Sequence, residues 1–273
     1  GKLSWYMDER ARSALAFGAA WMAACLLVGS TAAGGEMGNV PLIDAEFPGG
    51  NIVVERIDGD DVYLHQDPRD TEGFWFYWYF RVRNASGRTL TFRFTKGDVV
   101  GVRGPAVSRD SGETWTWFED DSVTPRSFTY TFADDDEVRF CLAMSYLQAD
   151  LERFLSRHAG SAHLQVERHC ISQKGREVKR LRLGCVESDP VHRVLLTCRH
   201  HSCEMMASWV LEGVIDHVLS ETDDGRWLRK NVEFLALPIV DVDGVEDGDQ
   251  GKNRTPHDHN RDYLGQPLSL IHI

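Results

Sequence analysis

The chain has 273 residues, of which 42% are hydrophobic and 26% charged, and its formal net charge at pH 7 is -12. This composition is typical of a globular protein with enough chain for two domains. The negative balance argues against nucleic acid as a partner, because phosphate binding needs basic patches. The six cysteines show no Cys-x-x-Cys spacing, so they do not indicate a disulfide framework.

Residues 1–36 have the layout of a targeting segment. Basic residues precede an apolar run from Ala14 to Gly29, and small residues follow it. This pattern predicts a signal peptide cleaved near Ala32 or Ala33, since the run is short for a membrane span. We therefore expect an exported protein, periplasmic or extracellular, with no stable membrane span after cleavage. The alternatives are a retained anchoring helix, a lipid anchor at Cys25 and a cytoplasmic protein.

Residues 45–144 contain short runs in which apolar and polar residues alternate, separated by Gly, Asp and Asn. Alternation with a period of two residues predicts an antiparallel β-sandwich domain over this range. The aromatic run within it is expected to fill the sandwich core, although stacking on sugar rings is the alternative. The predicted strands are Ile52–Ile57, Phe74–Arg83, Thr89–Phe94, Ser127–Phe132 and Glu137–Cys141.

The pattern changes near residue 145, and residues 145–267 are predicted to form a second, α/β domain. Apolar residues from Leu147 to Leu155 have helical spacing, and this helix is expected to end near Gly160. A buried type of strand, a helix and another strand follow, which predicts a parallel α/β unit. The segments are a strand ending at Leu183, the strand Arg193–Cys198, the helix Glu204–Leu219 and the strand Asn231–Val240.

His201 and Glu204 are the first candidates for chemistry. The strand that ends at Cys198 delivers them to the carboxyl edge of a sheet, where sites of α/β proteins form. An imidazole and a carboxylate are good zinc ligands, and a catalytic zinc needs one more protein ligand and an open position. The alternative is that Glu204 only begins a helix, where a carboxylate suits the helix dipole.

Asn260 and Arg261 form the second candidate element. The planar guanidinium of an arginine can donate two hydrogen bonds to one carboxylate, as an exopeptidase needs to hold the end of its substrate. An ordinary surface arginine in a polar loop is the alternative. The acidic stretch from Asp241 to Arg254, which precedes this pair, is predicted to form a loop.

These motifs together resemble the zinc metallocarboxypeptidase family, in its cytosolic-carboxypeptidase-like branch, as a bacterial-type member. Pro238–Val245 looks like the family's Asn-Pro-Asp-Gly-Val segment, with Asp in place of the usual Asn-Pro, and Asp258–Arg261 looks like its Asp-Leu-Asn-Arg. The resemblance implies an N-terminal β-sandwich before a mixed-sheet α/β carboxypeptidase domain. It implies Zn²⁺ held by His201 and Glu204, and a peptide or protein C-terminus as substrate. It also implies that Asn260 and Arg261 hold the terminal carboxylate, while Arg254 stabilises the oxyanion.

The family's third zinc ligand, a histidine, and its catalytic glutamate come later than the Asn-Arg pair. We therefore expect a C-terminally truncated domain that lacks both groups. The ending at residues 268–273 resembles a translated adapter from DNA library preparation, so His272 is not expected to be a ligand. The resulting prediction is a fragment that binds zinc weakly and hydrolyses nothing.

Two other functions remain open at this point. The first is an amidase or deacylase of the same superfamily, acting on cell-wall peptides or acyl amino acids. The second is a β-sandwich binding protein that carries an inactive hydrolase domain.

Overall fold

The computed structural model describes residues 40–69, 71–118, 122–255 and 257–261. The predicted targeting segment and the predicted adapter-like tail lie outside these residues, so both stay predictions. Within the described ranges, no helix is both long enough and apolar enough to cross a bilayer.

Two sheets built from the first part of the chain form the sandwich. The strands are β1 Leu42–Asp44, β2 Val53–Asp58, β3 Asp61–His65, β4 Tyr79–Arg83, β5 Thr89–Phe94, β6 Ala106–Ser108, β7 Thr116–Trp117, β8 Ser127–Thr131 and β9 Glu137–Cys141. Their orders in the two sheets are β1-β4-β9-β6-β7 and β2-β3-β5-β8. Neighbouring strands run antiparallel, except that β3 and β5 are parallel, so the predicted antiparallel sandwich is confirmed with one exception.

Aromatic side chains fill the space between these two sheets, as the sequence predicts. Phe80 and Phe140 from one sheet meet Phe92 from the other, with ring centroids 5.3 Å and 5.4 Å from Phe92. Each of these rings is fully buried. Aromatic pairs at such distances add to the stabilisation that comes from burial alone. Trp78 and Phe80 of the aromatic run belong to this core, whereas Phe74 at the start of the run is exposed.

The predicted strand Phe74–Arg83 is wrong in its first half, because β4 begins only at Tyr79. The preceding residue pairs differently: the Trp78 indole Nε1 donates to the carbonyl oxygen of Val99 at 2.9 Å. The backbone N–H and carbonyl of Tyr77 are hydrogen-bonded to the side chain of Gln250 instead of a neighbouring strand. The chain directly before β4 therefore lies outside the strands of both sheets.

The second part of the chain forms a mixed four-stranded sheet with helices, as predicted. Its elements are β10 Leu164–Ile171, β11 Glu177–Gly184, β12 His192–Thr197 and β13 Val232–Leu237, with helices α1 Gln148–Arg157, α2 Met206–Leu219, α3 Asp223–Asn231 and α4 Val242–Asp247. The strand order is β10-β11-β13-β12. β12 and β13 are parallel, whereas β11 is antiparallel to both β10 and β13.

Helix α4 corrects the prediction of a loop from Asp241 to Arg254. The Asp241 carboxylate begins the helix by accepting the N–H of Gly244 at 2.9 Å, and Gly248 ends it at a φ of 76°. An aspartate cap and a glycine stop are ordinary helix boundaries, but a helix of one and a half turns is too short to show a periodic pattern.

The second hydrophobic core joins the sandwich to the mixed sheet. Tyr77, Tyr79 and Cys141 of the sandwich are buried in the same cluster as Phe154 of α1 and Leu181 of β11. The five-stranded sheet thus has one face on the aromatic core and the other towards the α/β layers. The predicted domain ranges, 45–144 and 145–267, stay predictions.

The described cysteines are free thiols, as expected for small buried residues. Burial raises the pKa of both Cys141 and Cys203 to about 12. These two thiols are therefore protonated at neutral pH and serve as packing groups beside Tyr77 and the neighbouring core residues.

Candidate zinc and substrate site

The candidate site lies where the parallel strands β12 and β13 end. The segments that follow these two strands stay hydrogen-bonded to each other. The carbonyl oxygen of Cys198 accepts the N–H of Val240, and that of Arg199 accepts the N–H of Asp241, each at 3.0 Å. The turn that follows β12 and the segment that follows β13 therefore lie side by side at the carboxyl edge of the sheet. Crevices at this edge are the usual place for ligands in α/β sheets.

A buried arginine fixes the shape of the turn after β12. Arg199 takes a positive φ of 63° and is almost fully buried. Its guanidinium donates to the carbonyl oxygen of Tyr146 at 2.9 Å and, through Nε, to that of Ser202 at 3.0 Å. Burial lowers the pKa of Arg199 from its usual value. The guanidinium thus joins the turn to the loop before α1 while satisfying buried carbonyl groups.

The structure brings the two predicted zinc ligands together. The His201 ring is buried, and its Nδ1 lies 3.0 Å from Oε1 of Glu204, whose side chain is exposed. Glu204 precedes α2, which begins at Met206 and not at Glu204 as predicted. An imidazole nitrogen and a carboxylate oxygen at one bend can approach a single ion from adjacent positions.

Asp258 occupies the other side of the same imidazole. Its Oδ1 lies 3.2 Å from His201 Nε2, and this carboxylate also accepts the N–H groups of Asn253 and Asn260 at 2.9 Å and 2.8 Å. Burial works towards a higher pKa, but these backbone hydrogen bonds and His201 hold the pKa of Asp258 below its usual value. A charged carboxylate there fixes the ring orientation and leaves Nδ1 for a metal.

The sequence motif that contains Asn260 and Arg261 also contains Asp258, but it predicts no role for this aspartate. Its position two residues before Asn260 was the available signal, but the contact with His201 crosses 57 residues of chain. Only the fold brings these groups together.

Asn260 and Arg261, the predicted carboxylate clamp, directly follow Asp258 and so lie next to His201. His259–Arg261 forms a short 3-10 helix, in which the N–H of Arg261 donates to the carbonyl oxygen of Asp258 at 2.9 Å. Asn260 and Arg261 are exposed. One oxygen of Asp258 contacts both His201 Nε2 and the N–H of Asn260, so the Asn-Arg pair is fixed close to the imidazole.

Arg254, the predicted oxyanion residue, is held by two carboxylates. Its Nη1 lies 2.7 Å from Oδ2 of Asp241, and its Nη2 lies 2.8 Å from Oδ2 of Asp249. The side chains of Arg254 and Asp241 are only 10% and 3% exposed, so this is a buried ion pair. Arg254 thus joins the segment that follows α4 to Asp241 at the start of this helix. The oxyanion role of Arg254 stays a prediction.

The donor set fits one half of a zinc site. Glu204 and Asp258 lie at different nitrogens of His201, so they cannot share one ion with the same ring nitrogen. Within the described ranges, no group of three His, Cys, Asp or Glu residues could hold a metal ion. The described residues thus offer two adjacent donors, His201 and Glu204, with a carboxylate behind the imidazole, whereas a catalytic zinc needs a third protein ligand.

Residues 151–266 match the family model described as zinc carboxypeptidase. The chain is 27% identical to cytosolic carboxypeptidase 2 of Xenopus tropicalis over 152 residues, 52% of this chain and 16% of the relative. It is 24% identical to cytosolic carboxypeptidase 6 of Caenorhabditis elegans over 248 residues, 81% of this chain and 53% of the relative. The chain therefore spans about half or less of these relatives.

Solved structures show the same fold. A metallo-carboxypeptidase from Burkholderia cenocepacia superposes with a TM-score of 0.72 at 21% identity, over 84% of this chain and 63% of that one. A metallo-carboxypeptidase from Pseudomonas aeruginosa gives a TM-score of 0.70 at 23% identity, over 84% of this chain and 64% of that one. At these identities the likeness concerns the fold alone.

Proposed function

We propose that this chain carries part of the site of a zinc-dependent carboxypeptidase, because residues 151–266 match the zinc carboxypeptidase family model. Its substrates would be peptides or proteins with a free C-terminal carboxylate. The observation that supports this most directly is the His201 ring between two carboxylates, Glu204 at 3.0 Å and Asp258 at 3.2 Å. Export from the cell is part of the same proposal.

Each described residue has one task in this proposal. His201 and Glu204 hold the zinc, which supplies a Lewis acid for hydrolysis when it is bound. Asp258 accepts a hydrogen bond from Nε2–H of His201 and thereby keeps Nδ1 available as a ligand. Arg261 meets the terminal carboxylate of the substrate with its planar pair of donors, and Asn260 lies beside it.

The zinc site can be tested with the 273-residue chain itself. We expect weak zinc binding in calorimetry, because the described residues offer two protein ligands, and no release of C-terminal amino acids. His201→Ala is expected to abolish that binding, whereas the neighbouring His200→Ala is the matched control and is expected to retain it. Equal binding by both variants would contradict the assignment of the ligands. Release of amino acids by the unaltered chain would contradict the predicted inactivity, but not the family.

Asp258→Asn is expected to lower the zinc affinity about 10-fold to 100-fold, the usual effect of losing an outer carboxylate on a ligating histidine. The amide keeps an acceptor for the N–H of Asn253 or Asn260 but loses the negative charge that faces Nε2 of His201. Competition with a chromophoric chelator measures the change, and circular dichroism checks that the fold is kept. An affinity equal to that of the unaltered chain would show that Asp258 has no influence on the metal.

Arg261→Ala is expected to weaken the binding of a free-acid peptide about 10-fold or more, because a charged hydrogen-bonded pair is lost. Arg261 is exposed, so its replacement should leave the fold intact. The same peptide with an amidated C-terminus should bind both proteins weakly and equally in the zinc-loaded state. Tight binding of the amidated peptide would instead favour the amidase or deacylase function.

A further inference from the structure

Loops of the β-sandwich hold the segment that follows helix α4. The side chain of Asn51 donates to the carbonyl oxygen of Gly248 at 2.7 Å, and the N–H of Glu72 donates to that of Asn253 at 3.1 Å. Thr71 also forms an isolated antiparallel bridge with Arg254. The sandwich is thus hydrogen-bonded to the stretch that leads to Asp258 and the Asn-Arg pair.

Gln250 makes the most complete of these links. Its side chain is fully buried, and the amide pairs with both backbone groups of Tyr77: Oε1 accepts the N–H at 2.9 Å, and Nε2 donates to the carbonyl at 2.8 Å. This reciprocal pair replaces one rung of a β-ladder with a side chain. Tyr77 lies just before strand β4, so the link reaches the sandwich directly.

The backbone of the same residue supports the turn that carries the zinc ligands. The carbonyl oxygen of Gln250 accepts the N–H of Cys203 at 3.2 Å. The preceding residue, Asp249, accepts the hydroxyl of Ser202 through its carbonyl oxygen at 2.8 Å. Both contacts lie between His201 and Glu204 in the sequence, so residues 249–250 form the support beneath the two ligands.

We propose that Gln250 is a positioning residue through which the β-sandwich fixes the turn bearing His201 and Glu204. Its side chain is attached to Tyr77 of the sandwich, and its carbonyl oxygen is attached to Cys203 of the turn. The relevance of this link to catalysis rests on the proposed function, but the mechanical link does not. The sandwich would then be a structural part of the site and not a separate binding module.

The cost of losing the link follows from burial. Without the amide of Gln250, the N–H and carbonyl of Tyr77 would lose buried partners, and buried polar groups without partners are unfavourable. The chain around residue 250 would shift to satisfy them, and the support of the Cys203 N–H would be lost with it. A residue that only filled space would not couple these two events.

Amide hydrogen exchange of the 273-residue chain tests this link. In Gln250→Leu we expect the Cys203 amide to exchange at least 10-fold faster, while amides in the β5–β8 ladder keep their rates. Gln66→Leu is the matched control, because its buried amide also donates to two carbonyl oxygens, of Trp75 and Lys96, but within the sandwich. Faster exchange of Cys203 in Gln250→Leu but not in Gln66→Leu supports the proposal. Equal rates in both variants, or no change in either, overturn it.

Gln250→Asn decides the matter if the leucine variant fails to fold. Its neutral amide keeps one donor and one acceptor but is one methylene shorter, so both hydrogen bonds to Tyr77 should weaken and we expect a smaller, still selective, acceleration at Cys203. An unchanged rate there overturns the proposal. Exchange is measured without metal, so a chain that does not bind zinc would contradict the proposed function while leaving this result intact.

Discussion

Gly251→Ala is expected to reduce the free energy of unfolding by about 2–5 kcal/mol, the sum of left-handed backbone strain and overpacking. Gly251 has a φ of 79°, and an added Cβ would lie 2.5 Å from the N of Ser202 and 2.6 Å from its Oγ. The same Cβ would lie 3.2 Å from the Cα of His201. The methyl group therefore displaces the turn that carries the zinc ligands, and zinc binding should be lost together with stability.

Gly175→Ala is the control that separates strain from contact. Gly175 has a φ of 82°, but nothing lies within 4 Å of an added Cβ. We expect this variant to lose only the strain contribution, about 1–2 kcal/mol, and to bind zinc like the unaltered chain. Chemical denaturation measures both variants, and calorimetry measures the metal. If Gly251→Ala loses no more than Gly175→Ala, close packing against Ser202 is not important for this site.

Most of the fold could be predicted because it depends on local periodicity. Strand β5 has the predicted bounds, Thr89–Phe94, since alternating residues face the aromatic core and solvent in turn. The parallel pair β12 and β13 follows from an apolar strand, a helix and a second apolar strand. The prediction of a strand was wrong for the segment before β4. Its residues have the composition of a strand, but the hydrogen-bonding partner of the Tyr77 backbone is the side chain of the distant Gln250.

The candidate site was likewise predictable only where it depends on local spacing. The spacing of His201 and Glu204, together with their position after a strand, is sufficient to identify both residues as candidate zinc ligands. No such signal marks the residues that support the turn, because their roles depend on contacts that only the folded chain creates. Gly251 packs against Ser202, Gln250 is hydrogen-bonded to Cys203, and Arg199 is hydrogen-bonded to Tyr146. Spacing identifies groups that share a turn, but the residues that hold that turn come from other parts of the chain.

Arg254→Met is expected to reduce the free energy of unfolding by about 3–5 kcal/mol, because it leaves a buried carboxylate without its cation. Asp241 is only 3% exposed, and its Oδ2 lies 2.7 Å from the guanidinium. A residue that acted only on the oxyanion would affect hydrolysis and not unfolding. The expected loss therefore separates an anchoring role from a purely catalytic one.

Two further variants make this measurement decisive. Arg254→Met combined with Asp241→Asn should recover much of the loss, because the buried negative charge disappears while Oδ1 can still accept the N–H of Gly244 that begins α4. Arg226→Met removes an arginine whose partner Asp223 is 97% exposed, and it should cost less than about 1 kcal/mol. Denaturant titration at neutral pH compares the three proteins. An unfolding midpoint in Arg254→Met equal to that of Arg226→Met would mean that the ion pair contributes nothing to folding, and the predicted oxyanion role would then be the better explanation for Arg254.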